Sequence, residues 1–256
     1  MIIETHTHLD HQMFQEDVDE VIQRAKEVGV KRFIIPGADP KDLPRAVELA
    51  QKYDEVFFAV GVHPYDIDYF DESLFATYAT HEKCVAIGEC GLDYYRLPKE
   101  NEDKERIKKQ QKEIFIRQIE IANELDLPLI VHIREASNDA KEILEQKSGP
   151  RGGVLHCYNA SPILLELSDR FYYGIGGVVT FKNAKKLVQI LPDIPRNRIV
   201  LETDAPYLTP EPYRGKRNEP AYLRFVVQKM AQILDVLPQE IEERTTQNAK
   251  KLFHIV

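Results

Sequence analysis

The sequence predicts an α/β fold, a single (β/α)8 TIM barrel, and three observations support this prediction. Eight short apolar runs recur along the chain, amphipathic stretches separate them, and the 256 residues match the roughly 250 that one such barrel needs. A doubly wound open sheet gives a similar alternation, but no G-x-G-x-x-G turn follows the first run, which favours the closed barrel. Residues 1–256 are expected to form one domain, because no linker-like composition divides them.

The apolar runs have the composition of buried parallel strands, which are short and rich in β-branched and aromatic residues. In chain order they read MIIET, RFIIPG, VFFAVGVH, CVAIGEC, LPLIVHI, GGVLHC, FYYGIGGV and RIVLETD. Strands that alternate with helical stretches are typical of a parallel sheet with crossover helices.

The intervening stretches place apolar residues at helical spacing. EDVDEVIQRAKEVG predicts a helix that ends at Gly29, since glycine commonly follows the last turn. A long helix is expected over RIKKQQKEIFIRQIEIANELDLP, with Asn101 as a candidate for its N-terminal cap. PAYLRFVVQKMAQIL and LPQEIEERTTQNAKKLF predict two late helices.

Composition and charge narrow the class of protein. The net charge of −8 shows no global basic footprint, so any nucleic acid has to be held by a local patch. No run approaches the ~20 apolar residues of a membrane span, and Glu4 interrupts the N-terminal run too early for a signal peptide. We therefore expect a cytoplasmic protein with no membrane contact, and nothing indicates an obligatory protein partner. Cys84, Cys90 and Cys157 form no C-x-x-C pair, which argues against a disulfide framework.

Ionisable side chains end most of the predicted strands, and in a barrel these ends open onto one face, where active sites form. The residues are His6 and His8, His63, Glu89, His132, His156 and Asp204. His6 and His8 point the same way on an extended strand, because side chains at i and i+2 share a face. Each residue alone has an ordinary explanation as a cap, an ion-pair partner or a core histidine. Together they predict a cation site, since such a buried cluster is costly without a partner.

The number of ligands is enough for two divalent metal ions. His6, His8, Glu89 and Asp204 can hold one ion, and Glu89, His132 and His156 the other. Glu89 has two oxygens and can bridge the pair. The mixed imidazole and carboxylate set suits zinc, manganese, iron or nickel better than magnesium, which stays open.

The motifs around these residues make the sequence similar to the TatD family of metal-dependent deoxyribonucleases, in the amidohydrolase superfamily. The matching segments are ETHTHLD, GVHP, AIGECGLDYY, LPLIVHIREA, GVLHCYNA, GGVVTFKNAKKL, LETDAPYLTPEPYRGKRNEP and TTQNAKKLF. The resemblance implies a (β/α)8 barrel and metal-dependent hydrolysis of DNA, commonly from 3′ to 5′. It also implies six metal ligands: His6, His8, Glu89, His132, His156 and Asp204.

The sequence departs from the family pattern at two positions beside the ligands. Cys90 stands where isoleucine is usual, and Glu135 where aspartate is usual. Strand alternation predicts that Cys90 and Cys157 point away from the metal face. We treat both cysteines as packing residues.

Phosphodiester cleavage needs a nucleophile, and a metal-activated water is expected to supply it. Glu89 and Asp204 are the candidate catalytic carboxylates. Asp204 is either a ligand only or also the base that takes the proton of this water. Glu202 shares the face of Asp204 and is expected to support the site from the interior.

Five residues are candidates for binding the substrate. His63 could hydrogen-bond a phosphate oxygen or protonate the leaving group, or it could only fix the loop before Pro64. Arg134 could clamp a phosphate, or pair with Glu135. The basic segment YRGKRNEP contributes Arg214, Lys216 and Arg217, which bind a DNA backbone if the loop overhangs the barrel mouth.

Two functions remain open at this point. The first is hydrolysis of DNA by an exonuclease that takes a single-stranded end as its substrate. The second keeps the metal site but acts on small molecules, as an amidohydrolase, lactonase or phosphoesterase, since such sites host many hydrolyses. A barrel that binds metal without catalysis is a third, weaker interpretation.

Overall fold

Eight parallel strands form one sheet in the computed structural model, which describes residues 1–255. Each strand pairs with the next strand of the chain, as the predicted barrel requires. The strands are β1 (Ile2–Glu4), β2 (Val30–Ile35), β3 (Val56–Val60), β4 (Cys84–Asp93), β5 (Leu129–Arg134), β6 (Gly153–Leu155), β7 (Phe171–Ile175) and β8 (Ile199–Leu201). The fold prediction is confirmed.

Helices connect the strands on the outside of the sheet. They are α1 (Val18–Glu27), α2 (Leu43–Lys52), α3 (Ser73–Tyr78), α4 (Asn101–Leu125), α5 (Ser137–Lys147), α6 (Lys185–Ile190), α7 (Leu223–Leu234) and α8 (Pro238–Phe253). The connection from β6 to β7 holds a 3₁₀ helix, Pro162–Leu167. Within residues 1–255, no helix combines the length and the apolar character needed to cross a membrane.

Two predicted helix boundaries can be compared with the structure. Gly29 follows α1 with a φ of +96°, a left-handed conformation that glycine adopts without strain, as predicted. The prediction for Asn101 is wrong by one residue. Asn101 is the first residue of α4, and Glu100 holds the cap position in an extended conformation without a capping side-chain bond.

The barrel closes where the segment after β1 meets β8 and the segment after it. The Thr5 N–H donates to the carbonyl of Leu201 at 3.0 Å. Beyond it, the Asp204 N–H donates to the carbonyl of His6 at 2.9 Å, and the His8 N–H donates to the carbonyl of Ala205 at 2.8 Å. The main-chain bonds that close the sheet therefore carry three of the six predicted ligands.

The buried side chains form two layers, because alternate residues of a strand face opposite sides of the sheet. Phe33 and Ile35 belong to the cluster that packs against the helices. Ile34, between them, belongs to a second cluster with inward residues of the other strands and with Leu252 and Phe253 of α8. The end of α8 thus contributes apolar side chains to the inner core, and the polar cluster lies at the carboxyl ends of the strands.

Candidate metal centre

The ionisable residues predicted from the strand ends converge at one end of the barrel. His6 and His8 follow β1, His63 follows β3, His156 directly follows β6, and Asp204 follows β8. Glu89 and His132 are placed differently from the prediction, because they lie within β4 and β5. These two strands continue to pair as far as Asp93 and Arg134, so the tips lie beyond the cluster.

An irregularity in β4 sets the direction of Glu89. The register against β5 shifts between Ile87 and Cys90, and Glu89 lies inside that shift. Beyond it, Cys90 and Leu92 join the core that packs against the helices. Alternation then turns Glu89 and Asp93 toward the inside of the barrel.

The prediction for the cysteines is confirmed for Cys90 and wrong for Cys157. Cys157 has a φ of +43° directly after the three-residue strand β6, so strand alternation no longer applies to it. It lines the cleft beside the cluster instead of pointing away.

The first half of the cluster lies at the junction of β1 and β8. His6 Nε2 lies 3.2 Å from Glu89 Oε2 and 3.6 Å from Asp204 Oδ1. His8 Nε2 lies 3.3 Å from the same Asp204 oxygen. We call His6, His8 and Asp204 the seam half, because the barrel closes there.

The second half contains His132 and His156, and a further carboxylate braces each ring. His132 Nδ1 lies 2.8 Å from Glu89 Oε1, and its Nε2 lies 2.9 Å from Asp93 Oδ2. His156 Nδ1 lies 3.1 Å from Glu202 Oε1, and its Nε2 faces Asp204 at 3.8 Å. We call His132 and His156 the braced half.

Glu89 lies between the two halves, with one carboxylate oxygen toward each. Asp93 was missed from the sequence, although its position four residues after Glu89 puts both on one face of a strand. That spacing, in AIGECGLDYY, is the signal that would have found it.

The imidazole of His6 is the strongest sign that a cation belongs here. Its side chain is 1% exposed, and within residues 1–255 neither ring nitrogen has a hydrogen-bond partner. The ring stacks on His156 with the centroids 3.4 Å apart. Burying unpaired polar atoms costs about 1–3 kcal/mol each. Ligand atoms of His6, His8 and Glu89 all lie within 4.8 Å of one another, so the residues present fit a divalent cation that would accept the nitrogen lone pairs and compensate the carboxylate.

The electrostatics of the cluster agree with this fit. Burial lowers the pKa of His156, but Glu202 and Glu89 outweigh burial and raise that pKa to about 10. Burial also lowers the pKa of His8 and of His132, but Asp204 outweighs burial and raises the pKa of His8, and Asp93 with Glu89 raises that of His132. A field that draws protons onto buried imidazoles also attracts a divalent cation, which displaces those protons when it binds.

His63 lies at the edge of the braced half. Its Nε2 is 3.8 Å from Glu89 Oε1, and its ring meets that of His132 edge-on, with the centroids 4.4 Å apart. The backbone N–H of Tyr65 donates to its Nδ1 at 3.1 Å, which holds the loop. Burial lowers the pKa of His63 to about 4. His63 therefore fixes its loop and also lies beside the cluster.

Arg134 is exposed and lies over the ring of Tyr95, with Cζ 3.7 Å from the ring centre. The alternative pairing with Glu135 is absent, because no carboxylate of residues 1–255 lies within 4.0 Å of its guanidinium. The charge of Arg134 remains available at the rim of the cluster.

The three basic residues of the segment after β8 lie in different environments. Arg217 donates to both carboxylate oxygens of Asp17, at 2.8 and 2.6 Å, so its charge is already compensated. Arg214 is exposed, donates to the carbonyl of Thr209 and lies over the ring of Phe181. Lys216 is exposed as well. The basic surface available to a ligand therefore consists of Arg214 and Lys216, without Arg217.

A cleft of about 800 Å³ opens beside the cluster. His132, His156 and Asp204 line it, and so do Lys185 and Lys186. Sequence reasoning assigned no role to these lysines, although both stand in the segment GGVVTFKNAKKL.

A (β/α)8 barrel with imidazoles and carboxylates gathered at the carboxyl ends of its strands has the architecture of a metal-dependent hydrolase. The family profile described as TatD related DNase matches residues 3–254. The chain belongs to this TatD family of metal-dependent hydrolases.

Individual relatives agree over the full length of the chain. The metal-dependent hydrolase YabD of Bacillus subtilis is 41% identical, with 100% of each chain covered. The 3′-5′ ssDNA/RNA exonuclease TatD of Salmonella typhimurium is 34% identical, with 97% of each chain covered. The crystal structure of YjjV, a TatD homologue from Escherichia coli K12, superposes with a TM-score of 0.88 at 27% identity, covering 100% of this chain and 98% of that one.

Proposed function

We propose that this metal-dependent hydrolase cleaves phosphodiester bonds of DNA and removes nucleotides from the 3′ end of a single strand. The observation that carries the proposal is the buried imidazole of His6, which lies between Glu89 and Asp204 without a hydrogen-bond partner. The name of the Salmonella relative, a 3′-5′ ssDNA/RNA exonuclease, supports the choice of substrate and polarity.

The proposed ligand sets follow the two halves of the cluster. The seam half and Glu89 would hold one divalent cation, and the braced half and Glu89 would hold a second. When bound, two such cations lower the pKa of water and stabilise the attacking and leaving oxygens of a phosphodiester.

Asp204 is the proposed base. Its Oδ1 lies 3.6, 3.3 and 3.8 Å from the Nε2 atoms of His6, His8 and His156. The hydrogen bond from its backbone N–H to the carbonyl of His6 fixes the position of the residue. We place the proton of the attacking water on Oδ2, the oxygen that does not make these closest contacts.

His63 is proposed to orient the phosphate. Because its Nδ1 accepts the N–H of Tyr65, the neutral ring carries its proton on Nε2, the nitrogen that faces the cluster. An Nε2–H at this place donates a hydrogen bond to a non-bridging phosphate oxygen. Of the two roles predicted for His63, this geometry favours phosphate binding over protonation of the leaving group.

Hydrolysis of a small molecule is the second candidate, and the walls of the cleft favour it. Val178, Leu187 and Leu208 line the cleft together with the cluster, and its volume of about 800 Å³ is in the range of small-ligand pockets. An apolar ester or amide would fit such walls without any basic patch.

A reconstitution experiment tests both candidates. The chain is stripped with a chelator, and Mg²⁺, Mn²⁺, Zn²⁺ or Ni²⁺ is restored singly before assay on single-stranded DNA, duplex DNA, RNA and small esters. We expect metal-dependent shortening of a 5′-labelled single strand and release of mononucleotide from a 3′-labelled one. Activity confined to small esters would overturn the nuclease proposal in favour of the second candidate.

His6→Asn should abolish the metal-dependent activity. His81→Asn is a matched control, because His81 packs against Phe58 away from the cluster and should leave the activity unchanged. Calorimetric titration of the stripped protein should give two cations per chain, and a stoichiometry of one would refute the two-ion arrangement.

A further inference from the structure

We propose that a groove between the segment after β6 and α6 binds the sugar–phosphate backbone of a single strand next to the bond that is cut. This inference rests on the proposed function and specifies how the strand reaches the metal centre. The groove is made of two adjoining clefts, of about 800 and 840 Å³. Four residues line both clefts: Arg134, Asn159, Ala160 and Lys186.

Only one of the two clefts, here called the inner cleft, reaches the metal centre. The inner cleft is lined by His132, His156 and Asp204, whereas the outer cleft is lined by Ser161 and Gln189 and by none of those three. A polymer that lies along the groove therefore presents one end to the metal centre. That arrangement suits removal of residues from a strand end better than a cut within a duplex.

The positive charge of the groove is uncompensated where it is closest to the metal centre. Lys185, Lys186 and Arg134 are exposed, and none of them has a carboxylate within 4.0 Å among residues 1–255. The inner cleft contains no acid besides the proposed ligand Asp204, whereas Glu135 and Asp193 line only the outer one. In a chain of net charge −8, free cations in this position indicate an anionic occupant.

The remaining lining suits unpaired bases. Tyr207 is 49% exposed and lines the inner cleft, and its hydroxyl lies 3.2 Å from His11 Nε2, which fixes the ring at the metal end. Leu187 and Leu208 provide apolar walls beside it. A basic track with an aromatic platform is how proteins bind single strands without sequence preference, because every base has a face that stacks.

The experiment measures binding apart from cleavage. Lys185→Gln/Lys186→Gln is compared with the wild type for binding of a fluorescent dT12 in the presence of a chelator, over a series of salt concentrations. The control variant is Lys250→Gln/Lys251→Gln, which removes the same charge from the last turn of α8. The residues that follow in that turn, Leu252 and Phe253, belong to the inner core. Thermal unfolding of all three proteins verifies that the substitutions leave the fold intact.

We expect the groove variant to bind dT12 on the order of tenfold more weakly. Its salt slope should be smaller by about 1.4, because each phosphate that a protein neutralises on a single strand contributes about 0.7 to that slope. The α8 variant should bind like the wild type. In the wild type, dT12 should also slow hydrogen exchange of residues 181–190, and dT2 should do so less.

Three outcomes would overturn the inference, each in a different way. If the wild type cleaves DNA and the groove variant binds and degrades it equally well, the groove is not the track, and the proposed function stands. If the wild type cleaves no oligonucleotide with any cation, the proposed function fails and this inference with it. If the substitutions change the sedimentation coefficient instead of DNA affinity, the groove is an interface between two copies of the chain.

Discussion

The two halves of the candidate metal centre are held in place by different means. In the seam half, main-chain hydrogen bonds between the segments after β1 and β8 position His6, His8 and Asp204, and no further carboxylate contacts the free nitrogen of His6. In the braced half, Asp93 and Glu202 face the second nitrogen of His132 and of His156.

This difference shows two ways to orient a ligand. Closure of the barrel fixes the seam half, so its geometry depends on the fold as a whole. Individual side chains fix the braced half, so single substitutions outside the ligand set can loosen it. Such outer carboxylates fix the tautomer of a ligating imidazole and raise its basicity.

The largest effect is expected from Glu89→Gln, which removes the group shared by both halves. A neutral amide compensates neither cation, so we expect hydrolysis to fall on the order of 10³-fold or more, the equivalent of several kcal/mol of transition-state stabilisation. Added cation should raise the unfolding temperature of the wild type but not that of the variant. Activity assays and thermal unfolding with and without metal measure both effects.

Glu82→Gln is a suitable control, because Glu82 lies before β4 and contacts none of the cluster residues. A Glu89→Gln protein that keeps two tightly bound cations would contradict the bridging role and would reduce the two halves to independent sites.

Asp93→Asn tests the braced half alone. The amide no longer holds the charge that orients His132, so we expect the affinity of one cation site to fall 10- to 100-fold, while the seam site keeps its affinity. Calorimetric titration of the stripped protein resolves the two sites. Equal weakening of both would show that the halves are coupled more strongly than their contacts indicate.

Asp139→Asn is the matched control for this substitution. Asp139 also lies near the carboxyl ends of the strands, but it pairs with Tyr94 and Lys112 and contacts no ligand. It should leave both cation affinities unchanged.

Gly174→Ala is expected to give a smaller effect on the same half. A Cβ at Gly174 would overlap the carboxylate of Glu202, which braces His156. The carboxylate has to shift, so cation affinity at the braced site should fall by about tenfold, the lower end of the range for an outer partner. Unchanged affinity would mean that His156 is oriented without Glu202.

The fold and most of the cluster follow from the sequence, because both depend on local pattern. Short apolar runs predict the strands, and the residues that end them predict where the polar groups meet. Parallel strands bring those groups to one face whatever lies between them. That the six predicted residues ligate metal remains a proposal that the cation titrations test.

The rest depends on contacts between distant segments. The pairing of Arg217 with Asp17 joins residues 200 positions apart, and nothing in YRGKRNEP distinguishes Arg217 from Arg214. The left-handed backbone of Cys157 and the register shift before Cys90 are tertiary adjustments that alternation alone does not reveal. Lys185 and Lys186 gain meaning only from the cleft that they line.

The smallest effect is expected from Asp17→Asn, which removes an ion pair outside the seam half. Arg217 ties the loop after β8 to Asp17, and hydrogen bonding to that guanidinium lowers the pKa of the Asp17 carboxyl. Since both side chains are partly exposed, Asp17→Asn should reduce the free energy of unfolding by less than about 1 kcal/mol. A carboxyl whose pKa is lower in the folded chain stabilises the fold above its ordinary pKa and loses this contribution as the pH falls through the lowered value. The difference between wild type and variant should therefore be present at pH 7 and vanish once the pH falls below the lowered pKa, as urea unfolding at several pH values can measure. A difference that persists in acid would mean that the loop depends on Asp17 through packing rather than through charge.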